Sequence, residues 1–142
     1  KLTIIGKGSE KKHLIKLSKE LKIQNNIIFV GYSKPDLYYK KKGIFILNSF
    51  FEGLPNVLIE AMQYKIPIIS TNCLSGPKEI LMNGKYGTLV NVKDYKDLAK
   101  KIENNINNYK SALMKASKGH ASLNRFLADK QCQKYLHIIN NL

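Results

Sequence analysis

Residues 44–69, IFILNSFFEGLPNVLIEAMQYKIPII, set two continuous apolar runs, Ile44-Phe45-Ile46-Leu47 and Ile66-Pro67-Ile68-Ile69, on either side of a stretch with a different rhythm. Apolar runs without polar alternation predict strands covered on both faces, as in a parallel sheet flanked by helices. Between them, residues from about 55 to 64 predict a helix, with Pro55 suited to its first turn. The same grammar extends outward. Leu2-Thr3-Ile4-Ile5 predicts a strand stopped by Gly6-Lys7-Gly8, and Ser9 opens a stretch with Leu14, Ile15, Leu17, Leu21 and Ile23 at helical spacing. Ile27-Ile28-Phe29-Val30 predicts another strand, ending at Gly31, and Tyr38-Tyr39-Lys40-Lys41-Lys42 falls in a short helix. Thr88-Leu89-Val90 predicts a last strand, after which Asp94 can cap a helix carrying Leu98, Ile102 and Ile106. From about Tyr109 to Leu142 the pattern is helical. Strands alternating with helices predict an α/β fold with a doubly wound, Rossmann-like parallel sheet, whose ligand crevice lies at the carboxyl ends of the strands.

Composition narrows the class. The 142 residues suffice for one ordinary domain, with 44% apolar and 24% charged positions. No apolar run approaches the roughly 20 residues a membrane-spanning helix needs. Cys73 and Cys132 lie outside any C-x-x-C arrangement, which excludes a disulfide scaffold and a zinc-ligand spacing and favours a reducing compartment. His13, His120 and His137 share no metal or triad spacing, so packing or surface roles are expected of them.

The net charge of +14 suggests a polyanionic partner: nucleic acid, anionic lipid or a phosphorylated ligand. Its distribution is uneven, at +8 over residues 1–42, zero over 43–90 and +6 over 91–142. Arg125 is the only arginine, whereas base reading and bidentate phosphate clamps favour the planar guanidinium. Nucleic acid is therefore not the expected partner.

The segment Asn48–Met62 runs from the end of a strand into a helix, so Glu52 and the amides of Gly53 and Leu54 are expected at the crevice. A helix start offers unpaired N–H groups and partial positive charge, which suit phosphate or an oxyanion. Glu60 sits among Val57, Leu58, Ile59, Ala61 and Met62, and a carboxylate in such company needs hydrogen-bond donors. Vicinal ligand hydroxyls would serve, and so would a backbone amide or a lysine. Gly6-x-Gly8 is an incomplete dinucleotide fingerprint, equally a plain strand-to-helix turn. The Cys73-Leu74-Ser75 turn offers a hydroxyl without a visible base.

Glu52-x7-Glu60, with Gly53-Leu54-Pro55 between, resembles the E-x7-E motif of the retaining group 1 glycosyltransferases, family four, which have two Rossmann-like domains. The resemblance continues in order through Leu2–Gly8, Phe29-Val30-Gly31, Pro67–Thr71, Ser75-Gly76-Pro77-Lys78-Glu79-Ile80 and Gly84-Lys85-Tyr86-Gly87. It implies the carboxy-terminal, donor-binding half of a GT-B enzyme. Residues 1–108 would form the core without its first strand and helix, and 109–142 a helical segment. By resemblance Glu60 would bind the ribose hydroxyls and Glu52, the catalytic candidate, the hydroxyls of the transferred sugar. Gly53, Leu54, Pro55 and Asn56 would hold sugar and diphosphate, Gly31 and Tyr32 would lie beside the base, and Gly6 and Gly8 near the diphosphate.

The donor so implied is a nucleotide-diphosphate sugar, UDP-linked by expectation, with no metal and no cofactor. The acceptor, a surface glycan or lipid-linked glycan, would be bound by an amino-terminal domain. The family's diphosphate-gripping Arg and Lys belong upstream of Leu2, so these residues alone are expected to transfer nothing. The expected location is cytoplasmic, with the lysines free to meet an anionic inner leaflet. Two other readings stand beside this one: a non-catalytic module for anions or nucleic acid, and a nucleotide-sugar epimerase of the same fold.

Overall fold

The computed structural model describes residues 1–41 and 43–141, so Lys42 and Leu142, at the ends of two expected helical stretches, lie outside the described residues. Two compact units divide the chain, Lys1–Tyr38 and Tyr39–Leu142.

In the first unit, β1 (Leu2–Ile5) pairs in parallel with β2 (Ile27–Gly31), and α1 (Lys11–Glu20) and a 3₁₀ turn at Gln24–Asn26 connect them. Helix α1 starts two residues after Ser9, because the Gly8 carbonyl first accepts the Lys11 N–H in a tight turn. The expectation of two covered faces does not hold here: Leu2 and Ile5 are exposed, and Leu14, Leu17 and Leu21 of the α1 stripe are 38–58% exposed. Two strands and one ten-residue helix supply too few layers to enclose both faces.

Helix α2 (Asp36–Tyr39) spans the division between the units. In the second unit β3 (Phe45–Leu47), β4 (Ile68–Thr71) and β5 (Thr88–Val90) form a parallel sheet in the order β3-β4-β5. The register runs Leu47 opposite Ser70 and Ser70 opposite Leu89. All four residues of β4 are buried; the strand begins two residues later than the run Ile66–Ile69 predicts, since Pro67 has no N–H to give a ladder, and it takes in Ser70 and Thr71, whose hydroxyls bond to backbone carbonyls. Helix α3 (Asn56–Gln63) turns Leu58, Ala61 and Met62 inward, all at 0% exposure. Their i, i+3, i+4 spacing forms one stripe, which meets Ile68, Ile80 and Leu81. Each large side chain so enclosed contributes about 1.5–3 kcal/mol.

Pro55 stands one position before the place expected of it. It is the N-cap of α3, with ψ 95°, and its carbonyl accepts the Leu58 N–H at 2.9 Å. The four-residue helix α4 (Pro77–Ile80) was not anticipated; it begins behind Gly76, whose φ is +84°. Asp94 caps α5 (Tyr95–Asn107) as expected, accepting the Asp97 N–H at 2.9 Å, a contact worth about 1 kcal/mol.

Helix α6 (Tyr109–Ala121) packs on α3 and α5. Gly119 makes the close approach possible, since a Cβ there would lie 3.1 Å from the Tyr86 Cβ and 3.3 Å from the Met62 Cε. His120 has the packing role expected of it, donating from Nδ1 to the Met62 carbonyl at the end of α3 (3.2 Å). After a 3₁₀ turn at Leu123–Phe126, α7 (Ala128–Ile139) buries no residue, and its Tyr135, Leu136, Ile138 and Ile139 are exposed. Cys73 is buried and Cys132 on α7 is exposed, both as free thiols. Among the described residues no helix is long and apolar enough to cross a membrane.

Candidate functional site

The chain leaves β3 at Leu47 and enters α3 at Asn56, and the intervening loop carries Glu52. Glu52 is half-buried, and its carboxylate has no hydrogen-bond or ion-pair partner among the described residues. Gly53, Leu54 and Asn56 are exposed and Pro55 is buried. The start of α3 has no side-chain cap and no acidic residue in its first turn. Its first N–H groups and positive dipole end are thus left without a protein anion of their own, as an anionic ligand requires.

Glu60 lies on the second turn of α3 and is half-buried. Its partner is a neutral one: the Tyr39 hydroxyl stands 3.4 Å from Glu60 Oε2 and 3.4 Å from the Val57 carbonyl, sharing one proton between two acceptors. Tyr39 is buried, its ring packed edge-on against Phe45 and tilted against Tyr64. No lysine or arginine pairs with Glu60 among the described residues. The amide and the lysine considered as its partners are replaced by a phenol from 21 positions upstream.

The loop is held from β4 and the segment after it. Thr71 Oγ1 accepts the Ser49 N–H (3.1 Å) and donates to the Ser49 carbonyl (2.7 Å). The Cys73 thiol donates to the same carbonyl at 3.1 Å. Ser75 Oγ donates to the carbonyl of Glu52 itself at 2.8 Å. Gly76 completes the contact by lying against the turn: a Cβ there would fall 2.1 Å from the Gly53 carbonyl oxygen and 2.6 Å from Pro55 Cδ. Thr71, Cys73, Ser75 and Gly76 were not anticipated in this role. Their alternation at 71, 73 and 75 was the available signal, but it points to a partner segment only once β3 and β4 are known to be neighbours.

In the first unit, the strand ends bring Gly6 and Gly31 together, the Gly6 N–H donating to the Gly31 carbonyl at 2.8 Å. Both have positive φ, +142° and +78°, and neither they nor Gly8 has any atom within 4 Å of a notional Cβ. Tyr32 is 83% exposed, with Lys7 Nζ 6.0 Å from its ring centre. Among the described residues no three His, Cys, Asp or Glu side chains cluster as metal ligands.

Arg125 is occupied inside the second unit. Its guanidinium donates to the carbonyls of Glu79 and Ile80, which close α4, and lies over the Phe126 and Tyr86 rings at 4.3 and 5.5 Å. Burial pushes its pKa below the ordinary guanidinium value, while Tyr86 and Glu79 oppose the shift.

Comparison with known proteins places the chain in a family. An uncharacterized glycosyltransferase of Haemophilus influenzae is 30% identical over 97% of this chain, which corresponds to 39% of that protein. The N-acetylgalactosamine-N,N'-diacetylbacillosaminyl-diphospho-undecaprenol 4-alpha-N-acetylgalactosaminyltransferase of Campylobacter jejuni is 31% identical over 92% of this chain and 35% of its own. The chain thus spans well under half the length of these curated relatives. Among solved structures, TarM superposes with a TM-score of 0.87 over 99% of this chain and 28% of TarM, at 26% identity. HepE of Anabaena, solved with UDP, shares the fold with a TM-score of 0.84 at 22% identity over 99% of this chain and 40% of its own. The fold is that of the Rossmann-like half of GT-B glycosyltransferases. Residues 1–120 match the profile of the glycosyl transferases group 1, and with these strands, loops and acidic pair the chain belongs to that family.

Proposed function

We propose that these residues bind the nucleotide-sugar donor of a retaining glycosyltransferase, which moves a hexose or N-acetylhexosamine to a surface-glycan or lipid-linked acceptor. The observation that carries this reading is the state of the two carboxylates. Glu52 is unpartnered beside an uncapped helix start, and Glu60 is held by a neutral phenol, not neutralised by a cation. Both leave lone pairs free for the hydroxyls of a ligand.

In this reading Glu60 accepts from the ribose hydroxyls and Glu52, as the catalytic residue, from hydroxyls of the transferred sugar. Gly53, Leu54, Pro55 and Asn56 support the sugar and diphosphate. Gly6 and Gly8 lie by the diphosphate, and Gly31 and Tyr32 by the base. The N–H groups at the start of α3 stabilise negative charge developing on the departing diphosphate, which is electrostatic catalysis. The departing phosphate takes the acceptor proton, so neither a metal nor a cofactor has a step to perform. The acceptor contacts belong to an amino-terminal domain and the remaining diphosphate contacts, an Arg and a Lys, to a first strand and helix of this domain upstream of Leu2, so residues 1–142 alone are expected to transfer no sugar. The enzyme works in the cytoplasm, its lysines facing an anionic membrane surface, where each adds up to ~1 kcal/mol of attraction. Supporting the donor class, HepE has been solved with UDP-glucose; supporting a lipid-linked acceptor, the Campylobacter relative is named for transfer to a diphospho-undecaprenol.

The test compares UDP with 2′,3′-dideoxyuridine diphosphate in titrations followed by amide chemical shifts. UDP is expected to bind weakly, and Glu60→Gln to weaken it about tenfold or more, as loss of a charge-assisted pair predicts. The dideoxy nucleotide should not distinguish the two proteins. Equal UDP affinity in wild type and Glu60→Gln would remove Glu60 from the ribose.

A further inference from the structure

Beyond the two carboxylates, the second unit contains a device that fixes one of them. The β3-β4 ladder ends with Leu47 opposite Ser70. One residue further along β4, a side chain takes over the work of the backbone: the single hydroxyl of Thr71 satisfies both the N–H and the carbonyl of Ser49, at 3.1 and 2.7 Å. A valine there would have the same shape and neither bond. Thr71 is 2% exposed, so no water is at hand to replace it, and the Cys73 thiol reinforces the Ser49 carbonyl. Two positions later Ser75 repeats the grip, now on the carbonyl of Glu52.

We infer that Thr71 and Ser75 are positioning residues, which hold the loop from Ser49 to Glu52 by hydrogen bonds from side chain to backbone and so set the direction of the Glu52 carboxylate. The inference deepens the proposed function, since it rests on Glu52 touching the transferred sugar. The physical need is clear. Glu52 has no side-chain partner of its own, so its orientation depends on the backbone that carries it. A loop left to itself would spread that carboxylate over several rotamers and backbone states, and the ordering would then oppose sugar binding.

Two measurements on the 142-residue chain test this, and they fail separately. In amide hydrogen exchange, Thr71→Val should accelerate exchange of the Ser49 amide by about tenfold or more, with the Ile69 amide inside β4 unchanged. ¹⁵N order parameters should fall across residues 50–53, and Thr71→Ser, which keeps the hydroxyl, should restore both. Unchanged exchange at Ser49, or an equal rise at Ile69 that marks general loosening, would overturn the clamp.

The second measurement is the ratio of the UDP and UDP-glucose dissociation constants, which isolates the sugar's share of binding. Thr71→Val, the exposed and mild Ser75→Ala, and Glu52→Gln should each bring that ratio toward one, while Thr71→Ser leaves it as in wild type. If Glu52→Gln alone changes the ratio, the positioning role is wrong and the sugar-binding role of Glu52 survives. If Glu52→Gln does not change it, the assignment of Glu52 fails, and the exchange data still judge the clamp.

Discussion

Gly76→Ala is expected to be the most damaging single-atom addition in the second unit. The backbone there has φ +84° and ψ −74°, a strained region for an L side chain, which costs about 1–3 kcal/mol before any contact is considered. The added methyl would then sit 2.1 Å from the Gly53 carbonyl oxygen and 2.6 Å from Pro55 Cδ. Neither neighbour is the far end of a flexible side chain; one is backbone and the other a ring. The chain must therefore shift at Gly53–Pro55, the turn between Glu52 and the start of α3, at a further overpacking cost of about 1–3 kcal/mol. Thermal unfolding should show Tm lowered by about 8 °C or more, and the Glu52 and Gly53 amide resonances should move. Ala at the open Gly53, which meets nothing within 4 Å, is the natural control. A Gly76→Ala protein melting with wild type would show that the 71–76 segment is not seated on this turn.

Arg125→Met should lower stability by about 2–4 kcal/mol, through loss of two charge-assisted bonds to the closing carbonyls of α4 and of the cation stacked on Phe126. Methionine keeps the length and apolar character of the stem, so the change isolates the guanidinium. Arg125→Lys should recover little, because an ammonium is a point donor and cannot span Glu79 and Ile80 while lying flat on a ring. Denaturant unfolding measures both, and a lysine variant as stable as wild type would show that charge alone suffices. The same geometry bears on the partner. The one arginine of a +14 chain closes a helix inside the second unit and is not available as a free clamp for phosphate.

The five strands were legible because each contains a short apolar run, although β4 starts two residues later than its run and ends on the polar Ser70 and Thr71, and Asp94 was legible because a cap depends on neighbours three residues away. Elements whose existence depends on distant partners were not. Helix α4, with four residues, spans barely one turn, too short for the period of about 3.6 residues to repeat and show itself. Pro55 fell one place outside its helix because proline suits the cap and the first turn alike. Exposure of β1 and α1 was missed because apolar spacing shows which face could be covered, and says nothing of how many layers exist to cover it. At the site, the pair Glu52 and Glu60 stands out in sequence because carboxylates are conspicuous among apolar neighbours. Tyr39 and Thr71 do not stand out: they meet Glu60 and Ser49 across 21 and 22 positions, and only the order of the strands makes them neighbours.

The contrast between the two thiols offers a practical opening. With Cys73 enclosed and bonded to the Ser49 carbonyl, a maleimide dye added under native conditions should attach at Cys132 alone, giving α7 a single spectroscopic handle without mutagenesis. Fluorescence from that handle can follow what the exposed Tyr135, Leu136, Ile138 and Ile139 of α7 meet when a binding partner or ligand is added.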